Sequence, residues 1–187
     1  MRKKSFCLEF FRVVISDFFV YIQVMEENKD YKYYLDLGIT ETNKGNFDEA
    51  LVALDKALEL NPTSALIYFS KAAAFFSKGD VESAYDNFSK SIELDKNMID
   101  AYYNRALIVL SNKQSDKDAI KTAEADLVKA VELDAKFVDA YYYLAVARMK
   151  LEDYKGAVEA LDKSLELEPE GVYSKALKKL LLQKYLR

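Results

Sequence analysis

Apolar residues recur along the chain at spacings of three and four, and short polar stretches break the pattern at regular intervals. Tyr34, Leu37 and Gly38 follow helical spacing until Asn43-Lys44-Gly45-Asn46 interrupts them. The pattern resumes through Phe47, Ala50, Leu51, Leu54, Ala57 and Leu58 and stops near Asn61-Pro62. Two helices joined by a tight turn are predicted, with Gly45 in the turn and Pro62 just past the second helix. Gly79 and Pro169 are placed to do the same further along, the glycines where positive φ is needed. Gly156 is the exception, falling in the first turn of a second helix.

The two-helix pattern then repeats. ALDKALELNP (53–62), NFSKSIELDK (87–96), DLVKAVELDA (126–135) and ALDKSLELEP (160–169) read alike, and their Glu-Leu pairs are separated by 34, 39 and 34 residues. AYYNRA at 101–106 and AYYYLA at 140–145 follow two of these segments at matching distances. Self-similarity at such a period marks supersecondary units that stack on one another, each unable to bury its apolar face alone.

Over residues 31–171 this pattern resembles the tetratricopeptide repeat (TPR), a family of 34-residue helix pairs with small residues at three fixed slots. Counting from Tyr31, Ala65, Ile99 and Val138, slot 8 holds Gly38, Ala72, Ala106 and Ala145. Slot 20 holds Ala50, Ala84, Ala123 and Ala157, and slot 27 holds Ala57, Ser91, Ala130 and Ser164. The large apolar slot 24 holds Leu54, Phe88, Leu127 and Leu161. Helices approach closely only where side chains are small, and large ones then fill the gaps between units. Slot 4 is Tyr34, Tyr68, Tyr102 and Tyr141, bulky aromatics that pack between repeats. Slot 11 departs from the family's usual Tyr, reading Glu41, Phe75, Val109 and Arg148.

The resemblance implies an all-α fold, a right-handed superhelical solenoid of helix-turn-helix pairs. Its repeats are residues 31–64, 65–98, 99–137 and 138–171. The third carries five extra residues within 111–118, a longer turn between its helices or an extra helical turn. Residues 172–187 are predicted to be a capping helix, with Tyr173, Ala176, Leu177, Leu180 and Leu181 covering the end of the stack.

Residues 1–24 stand outside the repeats. Glu9, Arg12 and Asp17 interrupt them too often for a secretory signal or an ordinary membrane span. As a helix, Leu8, Phe11, Ile15, Phe18 and Ile22 form one apolar stripe. Three readings stand side by side. The stripe packs on the repeats or on another copy, or residues 5–24 lie on a membrane, or the native chain starts at Met25.

Composition narrows the chemistry. The chain has no His and a single Cys, Cys7, which excludes an internal disulfide, Cys/His zinc sites and His-based triads. No metal or cofactor is expected, and Glu59, Glu93, Glu132 and Glu166 recur once per unit as solvated or lysine-paired residues rather than catalytic ones. The net charge of −4 is segregated: +2 over residues 1–24, +5 over 172–187 and −11 between them. An acidic body argues against nucleic acid as a partner. A cytoplasmic location fits the lone cysteine, with membrane association through the first segment as the alternative.

The family's concave groove is lined by the first helix of each unit. Carried over residue by residue, the lining includes Leu35, Asp36, Ile39, Asn43, Phe69, Ser70, Ala73 and Phe76, then Tyr103, Asn104, Leu107 and Leu110, then Tyr142, Tyr143, Val146 and Met149. Family members that grip a C-terminal carboxylate use Lys, Asn and Arg where this chain has Leu35, Ile39, Ser70, Asp100 and Asn104. A carboxylate clamp is therefore not expected. An apolar, aromatic groove suits a peptide or helix of a protein partner instead. An enzyme is not expected, and a homo-oligomer formed through the first helix is the structural alternative.

Overall fold

The computed structural model describes residues 29–112 and 116–185, so the apolar stripe of residues 1–24 lies outside the described residues. Among the described residues the chain is built of helices alone, and it divides into two compact units, Met1–Pro62 and Thr63–Arg187. No helix among them is long and apolar enough to cross a membrane.

The first unit holds α1 (Tyr31–Lys44) and α2 (Phe47–Leu60), packed against each other across a two-residue turn. Asp30 starts α1, its carboxylate accepting the Tyr33 N–H at 3.0 Å. Gly45 ends it at φ 83°, and the N–H of Gly45 closes onto the last turn. The two helices meet tightest at Gly38. A Cβ there would stand 2.5 Å from Leu54 Cγ and 3.2 Å from the Ala50 carbonyl oxygen, and Ala50 and Leu54 are fully buried.

The second unit holds three such pairs and one more helix. They are α3 (Ala65–Lys78) with α4 (Val81–Leu94), α5 (Ile99–Ser111) with α6 (Lys117–Leu133), and α7 (Val138–Lys150) with α8 (Tyr154–Leu167), followed by α9 (Val172–Lys184). Within this unit α4 also packs on α5, α6 on α7 and α8 on α9, and α5 touches α7. Second helices start on aspartates: the Asp80, Asp116 and Asp153 carboxylates accept the N–H groups of Ser83, Ala119 and Gly156. Such caps satisfy otherwise orphaned donors and favour the positive end of the helix dipole.

All twelve residues of the three small slots are buried, and Leu54, Phe88, Leu127 and Leu161 of the large slot are among the most enclosed side chains. Serines stand where two slots would otherwise be Ala, and both hydroxyls are satisfied. Ser91 Oγ donates to the Ala65 carbonyl at 2.9 Å, and Ser164 Oγ lies 2.8 Å from Ser174 Oγ. Slot 11 also has a use without its tyrosine. Glu41 accepts from Asn46 Nδ2 at 2.7 Å, and Arg148 donates to the Gly156 carbonyl at 3.1 Å, so each spans the turn between its helices.

The insertion of the third repeat is divided between turn and helix. α5 is one residue shorter than α1 or α3, the connection to α6 is three longer, and α6 runs for 17 residues against 14 in the other second helices.

In the last helix the covering face is a correction. α9 buries Ser174 and Leu181 and half-buries Leu177, whereas Tyr173, Ala176 and Leu180 are exposed. α9 packs on α8 along one narrow stripe, which a spacing of three and four alone overestimates.

Candidate functional site

The first helices carry the residues expected to line a groove, and each unit is described by itself. On α1, Ile39 and Asn43 are exposed, but Leu35 is only 5% exposed. Leu35 lies three residues before buried Gly38 and so shares its inward face, which removes it from any ligand-facing set. Ser70 and Leu110 are corrected for the same reason: they fall in the buried stripes Ile67–Ser70–Ala74 and Ala106–Val109–Leu110.

In the second unit, Phe76 on α3 is 42% exposed, the most open of the expected aromatics. Ala73, Leu107, Val146 and Met149 are half-buried. Phe69 turns toward its own repeat, its ring centroid 5.6 Å from that of buried Phe88. It serves packing as much as any surface. Asn104 is half-buried, and its amide donates to the Asp100 carbonyl of its own helix at 2.7 Å.

The remaining expected aromatics are brought together. The Tyr103 ring lies 5.8 Å from Tyr143, and Tyr143 lies 5.2 Å from Tyr142, both edge-on. Two partners of this cluster were not expected from the sequence. Phe137 packs 4.8 Å from Tyr103, and Tyr173 of α9 lies 6.3 Å from Tyr142. Phe137 sits in the connection between the third and fourth repeats, where periodicity carries no signal for it, and the spacing of Tyr173 points to the cap.

Electrostatics follow the packing. Burial pushes the Tyr103 phenol up to about 12, with the charge of Asp139 and the neighbouring Tyr143 adding to it. Burial likewise raises Tyr142, helped by Tyr143 and Tyr173. Both phenols therefore stay neutral at physiological pH and offer apolar faces with hydrogen-bonding tips. Three of the four recurrent glutamates are paired along their own helices, Lys90–Glu93 at 2.8 Å, Lys129–Glu132 at 3.5 Å and Lys163–Glu166 at 2.7 Å. Among the described residues no cluster of three or more His, Cys, Asp or Glu is placed to hold a metal ion.

Stacked helix pairs with small residues at every close approach define a class, the helical-repeat scaffold. The chain belongs to one family of that class, the tetratricopeptide repeat proteins. Family models described as TPR repeat or tetratricopeptide repeat match residues 38–79, 65–98 and 138–170. An uncharacterized protein of Methanocaldococcus jannaschii is 36% identical over 81 residues, which cover 43% of this chain and 94% of that one. The photosystem I assembly protein Ycf3 of Acaryochloris marina is 30% identical over 105 residues, 54% of this chain and 63% of that protein, so the match spans less than two thirds of it.

Solved structures agree on the fold. A crystal structure of MamA superposes with a TM-score of 0.74 at 24% identity, covering 82% of this chain and 81% of that one. The first TPR of Spaghetti (RPAP3), bound to the HSP90 peptide SRMEEVD, gives 0.60 at 24% identity over 66% and 94% of the two chains. The Arabidopsis OM64 TPR domain gives 0.58 at 28% identity over 64% and 95%.

Proposed function

We infer that the chain is a non-catalytic adaptor that holds a peptide or helix of a protein partner through apolar anchors on the first helices of its second unit. The observation that carries this reading is the joined aromatic surface of Tyr103, Tyr142 and Tyr143, with the exposed ring of Phe76 on α3 as a further apolar anchor of the same unit. Aromatic anchors of roughly 1–2 kcal/mol each support micromolar binding once association costs are met.

An acidic peptide like the SRMEEVD bound to the RPAP3 domain is disfavoured as ligand. Ser70 is buried, and Asp100 is exposed where a basic clamp residue would be needed. Residues 1–24 give the alternative reading, self-association or membrane attachment, and they lie outside the described residues.

The test is comparative capture from the native cell. The intact chain is set against Phe76→Glu and against Phe76→Ala combined with Tyr143→Ala, with circular dichroism confirming that the variants fold. Partners captured by the intact chain and lost by both variants support the reading. Equal capture by all three overturns it.

A further inference from the structure

A hollow of about 370 Å³ opens in the second unit between the start of α7 and the start of α9. Tyr142 and Tyr173 form part of its wall, their ring planes inclined at 54° with centroids 6.3 Å apart. Rings held at that angle are not stacked face to face. Asp139, Glu168 and Glu170 also line the hollow, and no Lys or Arg does.

Glu170 is answered by Lys175 at 2.9 Å. Asp139 and Glu168 take part in none of the ion pairs found among the described residues, and both are exposed at the rim. The Ser164 and Ser174 hydroxyls at the base bond to each other, so the hollow's own polar groups need no ligand. Carboxylates and aromatic rings lining one hollow attract a cation, by Coulomb attraction and by the ring quadrupole.

We propose that this hollow binds the cationic head of a lysine or arginine side chain projecting from the segment held by the aromatic surface. The proposal rests on the adaptor reading for its source: Tyr142 both walls the hollow and touches Tyr143 of that surface. A basic residue beside an apolar anchor would thus set the register and direction of the bound segment, which apolar anchors alone do poorly.

The test needs no partner. The full chain is titrated by methyl and aromatic NMR with Nα-acetyl-lysine amide, with Nα-acetyl-arginine amide and with the uncharged Nα-acetyl-norleucine amide. Saturable shifts of the Val138 and Val172 methyls and the Tyr142 and Tyr173 rings are expected for a basic probe, with the norleucine probe at least about fivefold weaker. Asp139→Asn with Glu168→Gln, two exposed positions, should weaken the basic probe by about fivefold or more. Glu93→Gln, a surface carboxylate away from the hollow, should leave it unchanged. Equal binding of norleucine, full binding by the double variant or no saturable shift would each overturn the proposal. The two readings fail separately: capture lost with Phe76→Glu but kept with Asp139→Asn/Glu168→Gln would leave the adaptor reading standing without the cation pocket.

Discussion

Arg105 of α5 and Asp126 of α6 meet as a bidentate pair, with Nε and Nη2 of the guanidinium 2.8 and 2.7 Å from the two carboxylate oxygens. Nη1 of the same side chain donates to Ser89 Oγ of α4 at 3.0 Å, and the guanidinium lies over the Tyr85 ring. One side chain thus ties the third repeat together and fastens it to the second. Burial pulls the Arg105 pKa down, and the hydrogen bonds and charge of Asp126 more than restore it.

Asp126 is only 5% exposed, so removing it strands a cation in a dry place. Asp126→Ala is expected to cost about 3–5 kcal/mol in urea unfolding, far above a surface ion pair. Arg105→Met with Asp126→Leu should recover most of that loss, because a matched apolar pair has no charge left to desolvate. A single-variant cost below about 1 kcal/mol, the ceiling of an exposed pair, would mean that water reaches the site.

Gly38 offers a contest between two effects of opposite sign. Helix propensity alone predicts that Gly38→Ala stabilises α1 by roughly 1 kcal/mol. The new methyl, however, would meet Leu54 Cγ at 2.5 Å, and Leu54 is fully buried with no room to withdraw. Overpacking of about 1–3 kcal/mol should win, giving a lower Tm for the variant. A higher Tm would show that the first unit yields at this contact.

Where the fold was legible, the reason is that close packing is written in side-chain size. Ala72, Ala84 and Ala130 had to be small and read as small. The insertion was legible in length but not in form, since helix and turn can both absorb residues. The groove was legible only in part. Leu35, Ser70 and Leu110 occupy slots that face outward in the family pattern, yet each falls on an inward stripe of its own helix. Arg105–Asp126 and Tyr142–Tyr173 escaped because each joins different helices, and a pair of that kind has no periodic signature. The spacing of Tyr173 in particular predicts burial, whereas its 78% exposure makes it available to a ligand.

Glu152 shows what a repeat loses when its turn glycine is replaced. Gly45 and Gly79 end α1 and α3 at φ 83° and 90°, and Glu152 ends the fourth repeat's first helix at φ 69°. Its Cβ makes that conformation costly, and its ion pair to Lys117, 3.8 Å long between side chains 69% and 68% exposed, returns little. Glu152→Gly should therefore raise stability by about 1 kcal/mol, and Gly79→Ala should lower it by a similar amount. Opposite changes in thermal midpoint check both, and a fall for Glu152→Gly would reveal a role for its carboxylate that outweighs the strain.

Tyr103 supplies a pH test of the aromatic cluster. Its phenol ionises at about 12 in the folded chain instead of the usual 10, because burial and the Asp139 charge oppose the phenolate. A folded state that keeps its proton longer than the unfolded one has its full stabilisation below pH 10. It loses that stabilisation as pH rises from 10 to about 12. The difference in phenolate absorbance between the intact chain and Tyr103→Phe should therefore titrate near 12. Asp139→Asn should move that midpoint down toward 10 without abolishing the lag, since burial is the larger cause. A midpoint already at 10 in the intact chain would place Tyr103 in open water, and the joined surface through Tyr143 and Tyr142 would lose its anchor.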